Sequence, residues 1–163
     1  LRKNYKVVNY SATYGVGAPK LARETGMSKS EAKTLLEAFW SRNWAIERVA
    51  STLRVRELFN GMWLKNPVSG FWYSLRSDKD RFSTLNQSTG VYCFDSWVKE
   101  CRGMGLETIG QFHDEIIVLT KEGDEDKTEN IMQMSINNVN DAINLNVPLG
   151  TDVQFGKTYA DIH

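Results

Sequence analysis

Apolar and polar positions alternate along this chain with two periods, and the change from one to the other organises it. Residues 2–14 open with large polar side chains four apart, Arg2, Lys6, Tyr10 and Tyr14. In a helix such residues are neighbours on one face, drifting slowly round the axis. The pattern predicts a helix ending near Tyr14, where GVGAP supplies two glycines and a proline within five residues. LARET predicts a short helical piece closed by Gly26. SKSEAKTLLEAFWSR begins with Ser28 and, three residues on, Glu31, the signature of a capping box, and carries Ala32, Leu35, Leu36 and Phe39 at helical spacing. A further helix is predicted from Trp44 to Phe59, closed by Asn60–Gly61.

The period then shortens. MWLKNPV and GFWYSL, aromatic and broken by Pro and Gly, predict a small antiparallel excursion. DKDRFSTLNQSTGVYCFDSWVKECR predicts a long helix from near Asp78 to just before Gly103. LETIGQFH and EIIVLT read as two strands of a hairpin meeting at HDE, with the loop KEGDED behind them. A helix over 125–143 and a short strand at 151–155 complete the prediction. The fold class expected is α+β, mainly helical with a small antiparallel sheet. No repeat, low-complexity run or linker interrupts it.

Composition changes this picture at three points. The 163 residues suffice for one domain or slightly more, and no stretch is long and apolar enough to span a membrane. Cys93 and Cys101 lie about 12 Å apart along one predicted helix, too far for a disulfide, which suits a reducing, cytoplasmic setting. Net charge is zero, but residues 1–81 hold 15 Lys and Arg against 7 Asp and Glu, and residues 82–163 hold 5 against 13. A basic half suits a phosphate backbone; an acidic half suits metal ions or plain solubility. The chain lacks an initiator Met and begins inside a predicted helix without a signal peptide. A fragment, a processed piece or one part of a split protein is therefore expected.

Two constellations carry chemistry. The opening stripe sets two cations at one end and two phenols at the other, a surface suited to something anionic and flat. In QFHDEIIVL, strand alternation would point His113 and Glu115 one way and Asp114 the other. Taken alone, such a tip reads first as a charged turn, and otherwise as a carboxylate on rigid strands beside a divalent metal. Mg²⁺ commonly takes only one or two carboxylates plus substrate phosphates.

Together, R-x3-K-x3-Y-x3-YG and, about a hundred residues later, HDE resemble the family A (DNA polymerase I-like) DNA polymerases, over nearly the whole chain. Arg2, Lys6, Tyr10 and Tyr14–Gly15 match the family's motif B, on the fingers helix facing the incoming nucleotide. His113–Asp114–Glu115 match motif C at the palm hairpin. LNQSTG around Gln87 is similar to the palm helix that contacts the template–primer duplex. The ending GKTYADIH resembles a G-x-x-W-x-x-x-H tail, with Tyr159 in the Trp position. NPVSGFWYSL and DRFSTLNQSTGVYCFD have the character of bacteriophage members, which would place the protein in the host cytoplasm.

The resemblance implies fingers over 1–60 and part of the palm over 61–163, the palm sheet being completed by an upstream portion or partner chain. It implies a DNA polymerase that adds dNTPs to a primer 3′ end on template–primer DNA, using two Mg²⁺ ions. Asp114 would be a metal ligand and, with Lys6 and Glu115, catalytic. Arg2, Lys6, Tyr10 and Tyr14 would bind the nucleotide; Gln87, His113 and Gly15 would contact DNA. Tyr10, where other members carry Phe, implies tolerance of sugars lacking the 3′ hydroxyl. The family's first metal aspartate, in motif A, has no counterpart here, so this chain is expected to be inactive without an N-terminal polymerase portion. A single-subunit RNA polymerase fragment shares the general layout, but those enzymes resemble HDS at the hairpin and lack Tyr at position 10. A non-catalytic DNA-binding or scaffold subunit is the remaining reading, and the intact motif residues argue against it.

Overall fold

The structure, a computed structural model, describes residues 2–162, with side chains from Lys6 onward. Leu1, His163 and the side chain of Arg2 therefore lie outside the described residues. The fold is mixed α+β, with packing that groups the chain into two compact units, one up to Thr89 and one from Gly90. That division is one of packing and falls inside a helix.

In the first unit, helix α1 (Arg2–Thr13) buries Val8 and Ala12, four residues apart, against Leu21 and Ala22 of α2 (Ala18–Thr25) and Ala32 and Leu36 of α3 (Lys29–Arg42). Gly15 ends α1 in the left-handed region, at φ 72°. The Val16 amide donates to Ser11 O at 2.9 Å and the Gly15 amide to Ala12 O at 2.8 Å, while the Val16 side chain packs on the same core. This is a Schellman stop, and a residue with a Cβ is strained there. The expected capping box opens α3: the Glu31 amide donates to Ser28 Oγ and the Ser28 amide to Glu31 Oε2.

Helix α4 (Trp44–Thr52) is shorter than the pattern suggested. Instead of continuing to Phe59, the chain turns extended at Leu53 and forms β1 (Val55–Leu58), which pairs with β2 (Gly61–Lys65) through Leu58↔Gly61. Asn60–Gly61 thus belongs to a tight hairpin rather than to a helix terminus. A third strand, β3 (Trp72–Leu75), pairs with β2, so the excursion has three strands. Its inner face buries Leu64 and Leu75.

A 3-10 turn at Asp78–Asp80 runs into α5 (Arg81–Gly103), matching the predicted long helix. The second unit packs Trp97 and Cys101 of α5 against Met132, Ile136 and Val139 of α6 (Glu125–Ile143). Ile116 and Val118 of the hairpin β4 (Glu107–Phe112) and β5 (Glu115–Leu119) join that core. The Trp97 indole N–H donates to Met132 O at 3.3 Å. Cys93 and Cys101 are buried free thiols whose pKa values burial pushes up. Residues 151–155 do not form the predicted strand; Val153 lies on the core without a ladder partner among the described residues. No helix among the described residues is long and apolar enough to cross a membrane.

Asn66 holds the first unit's sheet to α5. It is fully buried; its amide donates to Ser88 Oγ at 2.7 Å and Thr89 Oγ1 at 2.9 Å, and its carbonyl accepts from Val68 N and Ser69 N. All four hydrogen-bonding positions of the side chain are used. Asn66→Ala should leave several buried groups unpaired and lower stability by about 3 kcal/mol. Urea unfolding of the variant measures this; an unchanged midpoint would contradict it.

Candidate functional site

Of the opening stripe, Lys6 and Tyr10 are carried by α1 with their side chains outward, and Tyr14 follows directly on its last turn. Residues two apart on a helix differ by roughly 200°, so burying Val8 and Ala12 turns Lys6, Tyr10 and Tyr14 away from the core. Tyr10 is 57% and Tyr14 41% exposed, so neither is a core tyrosine. The Lys6 ammonium lies 5.7 Å from the centroid of the Tyr10 ring, a cation–π arrangement that holds the two together.

Tyr14 meets Gln87, 73 residues away. Gln87 Nε2, on the first turns of α5, donates to the Tyr14 hydroxyl. Two residues picked out from separate motifs are thus neighbours. Gln87 keeps one N–H and its carbonyl oxygen for other partners, and the Tyr14 O–H remains a donor. The signal missed in the sequence is Asn66. By gripping Ser88 and Thr89, it fixes the turn of α5 that presents Gln87. An Asn before a Pro reads as a turn, and nothing in NPVSG announces its burial. Gly15 stands beside this pair, where an added Cβ would lie 3.4 Å from Lys79 O as well as being strained by the positive φ.

In the second unit, the HDE segment departs from simple alternation. β4 ends at Phe112 and β5 starts at Glu115, these two being paired, so His113 and Asp114 are the two residues of the turn itself. The predicted sharing of one strand face by His113 and Glu115 is thereby corrected. His113 has φ 54°, uncommon for a residue with a side chain, and its ring meets Phe112 edge-on at 5.2 Å. Asp114 is exposed at the tip, with no hydrogen bond or ion pair among the described residues. Glu115 is half-buried and accepts a hydrogen bond from the Tyr159 hydroxyl at 3.1 Å.

Tyr159 begins a 3-10 turn, Tyr159–Asp161, capped by Thr158, whose amide and hydroxyl both donate to Asp161 Oδ2. These bonds hold the Asp161 carboxyl below its ordinary pKa. Gly156 is required by close approach: a Cβ there would lie 2.5 Å from the Asp161 Cβ. The tail glycine and tyrosine therefore act together to bring a phenol onto Glu115.

Among the described residues no cluster of three or more His, Cys, Asp or Glu side chains could hold a metal ion. Asp114 alone fits one ligand position of a Mg²⁺ ion whose other ligands are phosphate and water oxygens. The described residues do not by themselves fit a two-ion site.

No family model matches the chain. DNA polymerase I, thermostable, from Thermus filiformis is 26% identical over 176 residues, an alignment that takes in 99% of this chain and 21% of that protein. This chain is thus similar to part of a DNA polymerase I. The POL domain of Pol1 from M. smegmatis, solved in complex with DNA primer–template and dNTP, superposes with a TM-score of 0.79 at 19% identity. That match covers 99% of this chain and 31% of the solved one, and establishes likeness of fold. The chain thus spans well under half the length of either relative.

The Tyr159 phenol is raised above its ordinary pKa, first by partial burial, then by its hydrogen bond to Glu115 and that carboxylate's charge. Its bond is therefore fully present below the ordinary tyrosine value of about 10 and is lost as pH rises through the elevated one. In a difference titration at 295 nm, Glu115→Gln should move one tyrosine's ionisation to lower pH. An unchanged titration would contradict the contact.

Proposed function

We propose that this chain supplies the nucleotide-facing helix and the motif C hairpin of a family A DNA polymerase. The observation that carries this reading is the Tyr14–Gln87 hydrogen bond beside an outward stripe of Lys6 and Tyr10. Residues 1–60 would serve as fingers and 61–163 as part of the palm.

Phosphoryl transfer depends mainly on positioning and on neutralising charge. Lys6, with Arg2 one helical turn before it, would receive the triphosphate, one as a point charge and the other as a fork. Tyr10 would lie against the sugar and admit one lacking a 3′ hydroxyl. Tyr14 would stack by the templating base, held in place by Gln87. The second N–H of Gln87 would read the minor-groove acceptors shared by correctly formed pairs. His113 would contact the primer end from the hairpin tip, and Gly15 lets the chain leave the helix there without a side chain in the way.

Asp114 would help hold the two Mg²⁺ ions, which would supply activation of the primer 3′ oxygen and stabilisation of the departing pyrophosphate. Glu115, braced by Tyr159, would stand beside it. A second metal-bridging carboxylate would come from a further polymerase portion, whether partner chain or longer polypeptide, which would also extend the two-stranded β4–β5 sheet. The bacteriophage-like character rests on NPVSGFWYSL and DRFSTLNQSTGVYCFD, and the relatives compared come from other sources.

Primer extension by the assembly containing this chain tests the proposal. Asp114→Ala should reduce extension with dNTPs by at least about a hundredfold, as expected for loss of several kcal/mol of metal-borne stabilisation. Undiminished extension would leave only a scaffold role. Preference for rNTPs over dNTPs would favour an RNA polymerase instead.

A further inference from the structure

The outer face of the three-stranded sheet has no part in the site above. Strand pairing sets which residues share it: Arg56, Trp63 and Ser74 form one cross-strand row, and Lys65 and Trp72 the next. Arg54 joins them, its guanidinium 5.7 Å from the centroid of the Trp72 ring, while that of Arg56 lies 4.6 Å from the same ring. The opposite face carries the buried Leu64 and Leu75, and with them Glu57, the single carboxylate of these strands. The outer face therefore gathers three cations and two indoles and no acid. None of the three cations pairs with a carboxylate among the described residues. Arg76, just beyond β3, differs in that it pairs with Asp80 at 3.9 Å.

Cations crowded on one sheet face repel one another, and like charges across a sheet are unfavourable. Here the Trp72 ring offsets that cost, because a guanidinium over an indole is attracted by the ring. Attraction to the ring also restrains both guanidiniums and removes some of the rotamer freedom that binding would otherwise have to freeze. The Trp63 ring is held on the same face by its N–H bond to Asn60 Oδ1 at 3.2 Å. Oriented forks beside aromatic rings on an antiparallel sheet are the elements that track a phosphate backbone and stack unpaired bases.

We infer that this face, Arg54, Arg56, Trp63, Lys65 and Trp72, is a binding platform for single-stranded DNA, separate from the α1 stripe. Arg54 and Arg56 take successive phosphates, Lys65 adds a third charge, and a base stacks on the Trp63 ring. Duplex DNA offers its phosphates but no free base face, so single strands are preferred.

Fluorescence anisotropy of the full chain with a labelled thymidylate 12-mer, at several salt concentrations, tests this. The wild type should bind the single strand more tightly than a 12-base-pair duplex. Arg54→Gln combined with Arg56→Gln should weaken single-strand binding about tenfold or more and flatten the salt dependence by roughly 1.4 in the log–log slope, two phosphate contacts' worth. Trp63→Leu should weaken binding while leaving that slope unchanged. Lys33→Ala, an exposed lysine of α3 outside both surfaces, should leave 12-mer binding unchanged, and with no dNTP or primer in the assay, failure here is distinct from failure of the polymerase reading. Far-UV circular dichroism identifies variants that fold. Equal affinity in the folded double-Gln variant, or equal affinity for the duplex, would overturn the inference.

Discussion

The arrangement of the first unit depends on how one helix is rolled. Among the described side chains of α1, Val8 and Ala12 are the buried ones, and their contact with Leu21, Ala22, Ala32 and Leu36 fixes its rotation about its axis. At 100° per residue, a helix anchored at 8 and 12 must show 6, 10 and 14 to the outside. A stripe of cation and phenols is thus a geometric consequence of two small apolar residues. The Schellman stop at Gly15 then ends the helix one residue after Tyr14, leaving that ring beside Gln87 and not inside a further turn.

The second unit solves a different problem. A two-stranded hairpin is marginal alone, and β4–β5 is held by laying Ile116 and Val118 on a core built around Trp97 and α6. That support permits an unusual tip, with His113 at positive φ and a carboxylate next to it standing in solvent. Glu115, one residue inside, is by contrast tied to Tyr159. Adjacent carboxylates therefore have different roles available to them: one can take a new ligand, and the other is already oriented by a phenol. In the polymerase reading these are the ion-holding residue and its positioned neighbour.

Much of this was legible in the sequence where a local signal has a single physical meaning. The Ser28–Glu31 box, the GVGAP break and the apolar spacing of α3 each act within a turn or two of chain, and those helices follow. Residues 55–59 depart from the helical expectation because Asn60–Gly61 closes a hairpin as readily as a helix, and the choice belongs to the ladder with β2. The strand expected at 151–155 has no partner among the described residues, and strands exist only in pairs. Of the candidate site, the α1 stripe and the HDE tip were readable by spacing and by resemblance. The turn geometry of His113–Asp114, the grip of Asn66 on α5 and the Tyr159–Glu115 contact were not, since each depends on residues brought together from far apart in the chain.

In the polymerase reading, the outward face of α1 receives the incoming nucleotide opposite a template base. Photocrosslinking with an azido-substituted dNTP, in the assembly containing this chain and on primer–template DNA, addresses it directly. Labelling is expected on the peptide bearing Tyr10 and Tyr14, and only when the analogue complements the templating base. Labelling that falls elsewhere in the chain, or that ignores the template base, would contradict it.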